Sequence, residues 1–169
     1  MDGAKAICLT VNNNFDLWAF DYNKPVPQIR SSDPFPKLIM VPTTAGTGAE
    51  TESTAMVTHA GKGMKFCLDH PQLKISAAIL DPSLTLGLPP SLTAWTGVDA
   101  LTHAIEAYIV PDFHPLCDGA AIEALRLIGK YLVTSVEEPE NLEARGGMLV
   151  GSCLAGISVS YTHLRAHET

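Results

Sequence analysis

Asp99 and His103 stand four residues apart in TGVDALTHAIEAY (96–108), a run whose apolar residues recur at helical spacing. On a helix that interval puts a carboxylate and an imidazole on one face, one turn apart. The pair offers a hard oxygen and a borderline nitrogen to a divalent transition metal, a set better suited to iron(II) or zinc than to calcium. Neighbouring Val98, Leu101, Ala104 and Ile105 would keep the point of convergence partly dry. Two donors do not close a site, since such metals take three or four ligands, and the same spacing also serves a surface pair.

PTTAGTGAE (42–50) is the second stretch with chemical capacity. Thr43, Thr44 and Thr47 supply hydroxyls, and Gly46 and Gly48 would let backbone approach a ligand closely. The segment follows a candidate strand, and α/β sheets bind nucleotides past the carboxyl ends of their strands. A plain connecting loop has the same composition. The segment is not a P-loop, because the Lys-Ser/Thr ending is missing.

These groups need elements to hold them. Lys37 to Val41 (KLIMV) and Ala77 to Leu80 (AAIL) are short apolar runs closed by prolines, the pattern of buried strands. Between them, TAMVTH and MKFCLD flank Ala60-Gly61-Lys62-Gly63, a hairpin signal. DGAKAI at the start is expected as the first turn of a helix whose preceding strand and loop are absent. After Pro89-Pro90 the texture turns helical: Ser91 is a candidate cap for a helix through Tyr108, a second helix is marked by residues 120–128, and a third runs from Leu142 to about Val159. The apolar pattern stops after Ser160, so 161–169 is expected to be a non-native tail.

The expected fold class is α/β followed by all-α. Its domains are a partial α/β unit at 1–89 and a partial helical unit at 90–160. Composition agrees with a globular chain: 46% of residues are hydrophobic and 17% charged. Residues 1–80 carry seven acidic and seven basic side chains, and residues 81–169 carry eleven and four. An acidic half with no basic patch argues against nucleic acid, and no uncharged apolar run is long enough to span a membrane. With no signal-peptide layout at its start, the chain is expected in the cytoplasm. Cys8, Cys67, Cys117 and Cys153 form no C-x-x-C pair and are expected as free, buried or half-buried thiols. His59, His70 and His114 are expected to be exposed, and Trp95 and Tyr108 to belong to the core.

PTTAGTGAE, Lys65, ILDPSLTLGLP (79–89) and TGVDALTHAIEAY together resemble the iron-containing (group III) alcohol dehydrogenase family. Order and spacing agree, and the likeness continues through EALRLI (123–128), NLEAR (141–145) and LAGIS (154–158), covering nearly all of residues 2–160. The resemblance implies part of a Rossmann-like dinucleotide-binding domain joined to the first helices of a helical metal-binding domain. It implies Asp99 and His103 as two ligands of iron(II), or of zinc. Thr43, Thr44, Thr47, Lys65 and Leu84 are implied as contacts of NAD or NADP. Asp2, with Ala4 and Lys5, matches the tail of the family's Gly-rich pyrophosphate element.

The implied reaction is hydride transfer between a small alcohol and the nicotinamide, with the metal as Lewis acid, in a homo-oligomer. Two further histidine ligands are implied after Ser160, where the expected Asn-Ala-Gly-like turn is absent. His163 and His167 repeat the i, i+4 interval there, and His167 falls near the position of a third ligand. Alternatives are a hydroxyacid-oxoacid transhydrogenase, a glycerol dehydrogenase-like member, and a non-catalytic remnant.

Overall fold

The computed structural model describes residues 1–111 and 113–165. The chain divides into two compact units, residues 1–40 with 53–77, and residues 41–52 with 78–169. The change of texture at Pro89-Pro90 therefore marks the start of a helix, while the units part at Ala77 and Ala78. Segment 41–52, which contains the threonine loop, groups with the helices.

The first unit begins with α1 (Asp2–Thr10), which buries Lys5, Cys8 and Leu9 at i, i+3, i+4 spacing. A 3-10 turn at Leu17–Phe20 follows, opened by the Asp16 carboxylate accepting from Trp18 N at 2.8 Å. After β1 (Ile39–Met40), strands β2 (Thr54–His59) and β3 (Met64–Asp69) form the expected antiparallel hairpin, with Thr54 opposite Asp69 and His59 opposite Met64. Gly63 takes φ 62°, the left-handed backbone that its turn requires and that glycine adopts without strain. Leu9, Phe20, Ala55, Leu68 and Leu73 form the core beneath the hairpin. Lys5 is wholly buried, and its ammonium donates to the Thr54 carbonyl at 2.8 Å, tying α1 to β2.

His70 is buried, contrary to expectation. Its Nδ1 accepts from Gln72 N at 3.1 Å, so Nε2 carries the hydrogen and donates to the Pro27 carbonyl at 3.0 Å. Phe35 and Phe20 meet its ring edge to face. Polar partners on both ring nitrogens thus let an imidazole enter an apolar core, and residue type alone does not reveal that. His59 is half-buried, stacked on Trp18 at 4.4 Å.

The two buried strands expected at 37–41 and 77–80 shrink to β1 and to β4 (Ala77–Ala78), which among the described residues pair only with each other. Ile39 is 61% exposed, and only Met40 of its strand is buried. A pair of two-residue strands is too small a sheet to present a face that other elements can bury.

The second unit is built on α2 (Pro90–Ile109), α3 (Pro115–Glu137) and α4 (Leu142–Arg165), which pack on one another. Ser91 does not cap α2: Pro89 holds the cap position and Pro90, with φ preset for the first turn, starts the helix two residues earlier than a Ser91 cap would. His114, half-buried, caps α3, its Nδ1 accepting from Cys117 N at 3.2 Å. Helix α3 is far longer than the expected 120–128, and α4 continues past Val159 through Arg165.

The buried positions of α2 are Thr93, Gly97, Ala100, Ala104 and Ala107, alternating four and three residues apart. Small side chains along that stripe let the helices approach closely. A Cβ on Gly97 would collide with Leu132, and one on Gly147 with the Tyr131 ring. All four cysteines are free, Cys8 and Cys117 buried and the other two half-buried. No helix of the described residues is long and apolar enough to cross a membrane.

Candidate metal and cofactor site

Helix α2 turns one flank away from the stripe of small residues, and that flank carries Thr96, Asp99 and His103. Asp99 Oδ1 and His103 Nε2 lie 3.9 Å apart, too far for a hydrogen bond. The His103 Nδ1 atom is buried and has no hydrogen-bond partner. An imidazole held in a fixed place with neither nitrogen engaged is available as a ligand.

Two donors each about 2.1 Å from one ion lie at most about 4.2 Å apart, so 3.9 Å is compatible with a shared metal. In donor chemistry the pair fits two positions of such a site, and 3.9 Å is wider than the roughly 3.4 Å that adjacent tetrahedral donors span, so a small side-chain rotation is needed to share one ion. Among the described residues no group of three His, Cys, Asp or Glu side chains completes it. Glu106, on the same flank, is exposed. His167 lies outside the described residues, as does the side chain of His163.

The threonine loop reaches this flank. A Cβ on Gly46 would lie 2.8 Å from Thr96 Cβ, so the loop backbone rests on the turn of α2 that immediately precedes Asp99. Gly48, with φ 65°, meets Gly156 of α4, whose Cα would lie 2.7 Å from an added Cβ. The two loop glycines therefore serve close packing against helices, which corrects the expectation that they free backbone for a ligand. With the glycines turned inward, Thr43 and Thr47 are exposed and Thr44 half-buried. Thr47 Oγ1 accepts from Ala49 N at 3.3 Å, a local turn bond.

Leu84 is 46% exposed on the 3-10 turn Pro82–Thr85, which Asp81 caps by accepting from Ser83 N at 2.9 Å. That bond and the Ser83 hydroxyl hold the Asp81 carboxyl below its ordinary pKa. Within the other unit, Lys65 is exposed on β3, and Asp2 is half-buried in the first turn of α1. Trp95 and Tyr108 are not core residues: they are 67% and 50% exposed on α2.

Two buried charged residues of this unit went unassigned in the sequence. Glu50, the last residue of PTTAGTGAE, is buried, and its charge together with burial pushes the Cys153 thiol up to about 11. Arg145 is also buried, its Nη1 donating to Thr93 Oγ1 at 2.8 Å and its Nε to the Pro139 carbonyl at 3.0 Å. Burial lowers the guanidinium pKa. The signal available for Arg145 was its phase: it continues the inward run of Met148, Leu149 and Ser152 on α4.

Residues 1–82 match the model of iron-containing alcohol dehydrogenase, and residues 93–168 match the model of the Fe-containing alcohol dehydrogenase family, C-terminal. The probable alcohol dehydrogenase EutG of Salmonella typhimurium is 41% identical over 99% of this chain and 42% of its own length. The 1,3-propanediol dehydrogenase of Klebsiella pneumoniae is also 41% identical, over 99% of this chain and 43% of that protein. Among solved structures, a 1,3-propanediol oxidoreductase superposes with a TM-score of 0.85 at 37% identity, covering 99% of this chain and 44% of that one. The sulfoacetaldehyde reductase of Bifidobacterium kashiwanohense, solved in complex with NAD+, gives 0.83 at 36% identity over 94% and 41%. This chain spans less than half the length of those relatives, and it belongs to the iron-containing alcohol dehydrogenase family.

Proposed function

We infer that the chain carries part of the active site of a nicotinamide-dependent alcohol dehydrogenase acting on a small alcohol or the matching aldehyde or ketone. Asp99 and His103 would hold iron(II), and Thr43, Thr44, Thr47, Lys65 and Leu84, with Asp2, would contact NAD or NADP. The observation that carries this reading is the seating of Gly46 on Thr96, because it brings the threonine loop to the flank of α2 that presents Asp99 and His103. Bound there, the metal would supply Lewis-acid polarisation of the substrate oxygen, and the nicotinamide would supply the hydride acceptor.

The chain's own residues do the positioning. Asp99 and His103 offer two donors from one rigid helix, an arrangement that fixes their separation better than a loop would. Thr43 and Thr47 present hydroxyl donors to a phosphate or ribose oxygen, while the two loop glycines anchor their backbone to α2 and α4. The division of residues 1–89 and 90–160 into cofactor and metal portions is part of the same proposal.

A chimera tests it. Residues 1–160 would replace the matching segment of the Klebsiella 1,3-propanediol dehydrogenase, followed by measurement of alcohol-dependent nicotinamide reduction and bound iron. The expected result is an active chimera that loses both activity and iron when His103→Ala or Asp99→Ala is introduced. Full activity and full iron content in both variants would overturn the reading.

A further inference from the structure

Beneath the threonine loop, the second unit encloses about 10 Å³ of solvent-sized space, room for one water molecule. Ala45 lines it, with the hydroxyl residues Thr85, Thr93, Thr96 and Ser135 and the guanidinium of Arg145. Arg145 is 2% exposed, and its Nη2 is buried with no hydrogen-bond partner, although Nη1 and Nε are both engaged. A buried charged donor left without a partner is costly, and each such group calls for an acceptor.

The hydroxyls decide what kind of acceptor fits. Thr85 donates to the Pro82 carbonyl at 2.8 Å, Thr96 to Leu92 at 2.9 Å, and Ser135 to Leu132 at 2.8 Å. With their hydrogens committed to main chain, these three oxygens can act toward the cavity only as acceptors. Thr93 instead accepts from Arg145 and retains its own hydrogen. The cavity wall thus mixes donors, from Arg145 and Thr93, with acceptors from Thr85, Thr96 and Ser135. An anion would meet those acceptor oxygens unfavourably, whereas water has two lone pairs and two hydrogens to match both kinds.

We propose that this cavity binds a single internal water, which accepts from Arg145 Nη2 and donates its two hydrogens to two of the three hydroxyl oxygens of Thr85, Thr96 and Ser135. The water thereby ties Arg145 of α4 to hydroxyl groups of the neighbouring elements.

The test is a crystal structure of the unaltered chain grown with bromide as the halide. The expected result is a solvent peak within about 2.7–3.2 Å of Arg145 Nη2 and of at least one hydroxyl, without bromide anomalous signal. An anomalous bromide peak would make this an anion site and overturn the proposal. So would a vacant cavity with Nη2 bonded to protein. In solution, oxygen-17 relaxation dispersion should show one fewer long-lived water in Ser135→Val, whose added methyl groups fill the space. Identical dispersions for the folded variant and the parent would count against the proposal.

Discussion

The two units are held together by opposite means. Around the β2–β3 hairpin, cohesion comes from bulk: Phe20, Phe35, Leu68 and the buried His70 ring interlock. Among α2, α3, α4 and the threonine loop it comes from the lack of bulk, with Gly46, Gly48, Gly97 and Gly156 allowing backbone to meet backbone or the flank of a neighbouring helix. The first unit should therefore suffer from loss of size and the second from gain of size. This difference bears on the proposed site, because the close-packed unit is the one that carries Asp99, His103 and the loop seated on Thr96.

The largest effect expected is from Phe20→Ala. Emptying a wholly buried aromatic position costs about 3–5 kcal/mol. Urea unfolding followed through Trp18 fluorescence, in a Trp95→Phe background, checks it, and a loss below about 1 kcal/mol would break the contrast. Next comes Gly48→Val, which combines a left-handed backbone with a Cβ only 2.7 Å from Gly156 Cα and should cost about 3 kcal/mol by the same titration of the second unit. Trp95 is the reporter there, in a Trp18→Phe background.

Gly129 sharpens the comparison from the other side. It sits inside α3, where a Cβ would meet nothing within 4 Å, so Gly129→Ala should stabilise by about 0.5–1 kcal/mol through helix propensity. Destabilisation by that change would mean that glycine in this bundle is not selected by contact.

The smallest effect expected is with pH. Burial and the Glu50 charge raise the Cys153 thiol from its ordinary 9.0 to about 11 in the folded chain. The folded state then keeps a proton that the unfolded state releases, so this contribution is complete below about pH 9 and declines as pH rises toward 11. Thermal melts across that range should show the decline in the parent and its absence in Cys153→Ala.

Elements with a strong local signature were legible from sequence. The hairpin followed from turn glycines between two alternating runs, and the three long helices from apolar periodicity after Pro90. Free cysteines followed from their spacing. What escaped depends on partners distant in sequence. KLIMV looked like a buried strand, yet β1 has only β4 beside it. His70 needed Pro27 and Gln72 to become a buried imidazole. Gly46 and Gly48 were legible as close-approach positions, but composition could not say whether ligand or helix does the approaching. Of the site, the Asp99 and His103 pair and the threonine loop were readable as motifs, whereas their meeting at Thr96 and the buried Arg145 were not.

The central claim is that Asp99 and His103 form a metal-binding pair, and a metal titration of this chain addresses it directly. Cobalt(II), a paramagnetic stand-in for iron(II), would be added while the histidine ring resonances are followed by NMR. Two ligands should bind weakly, with His103 the ring most strongly shifted or broadened and the effect lost in Asp99→Ala. A His103 signal indifferent to cobalt(II), or an unchanged response in Asp99→Ala, would contradict it.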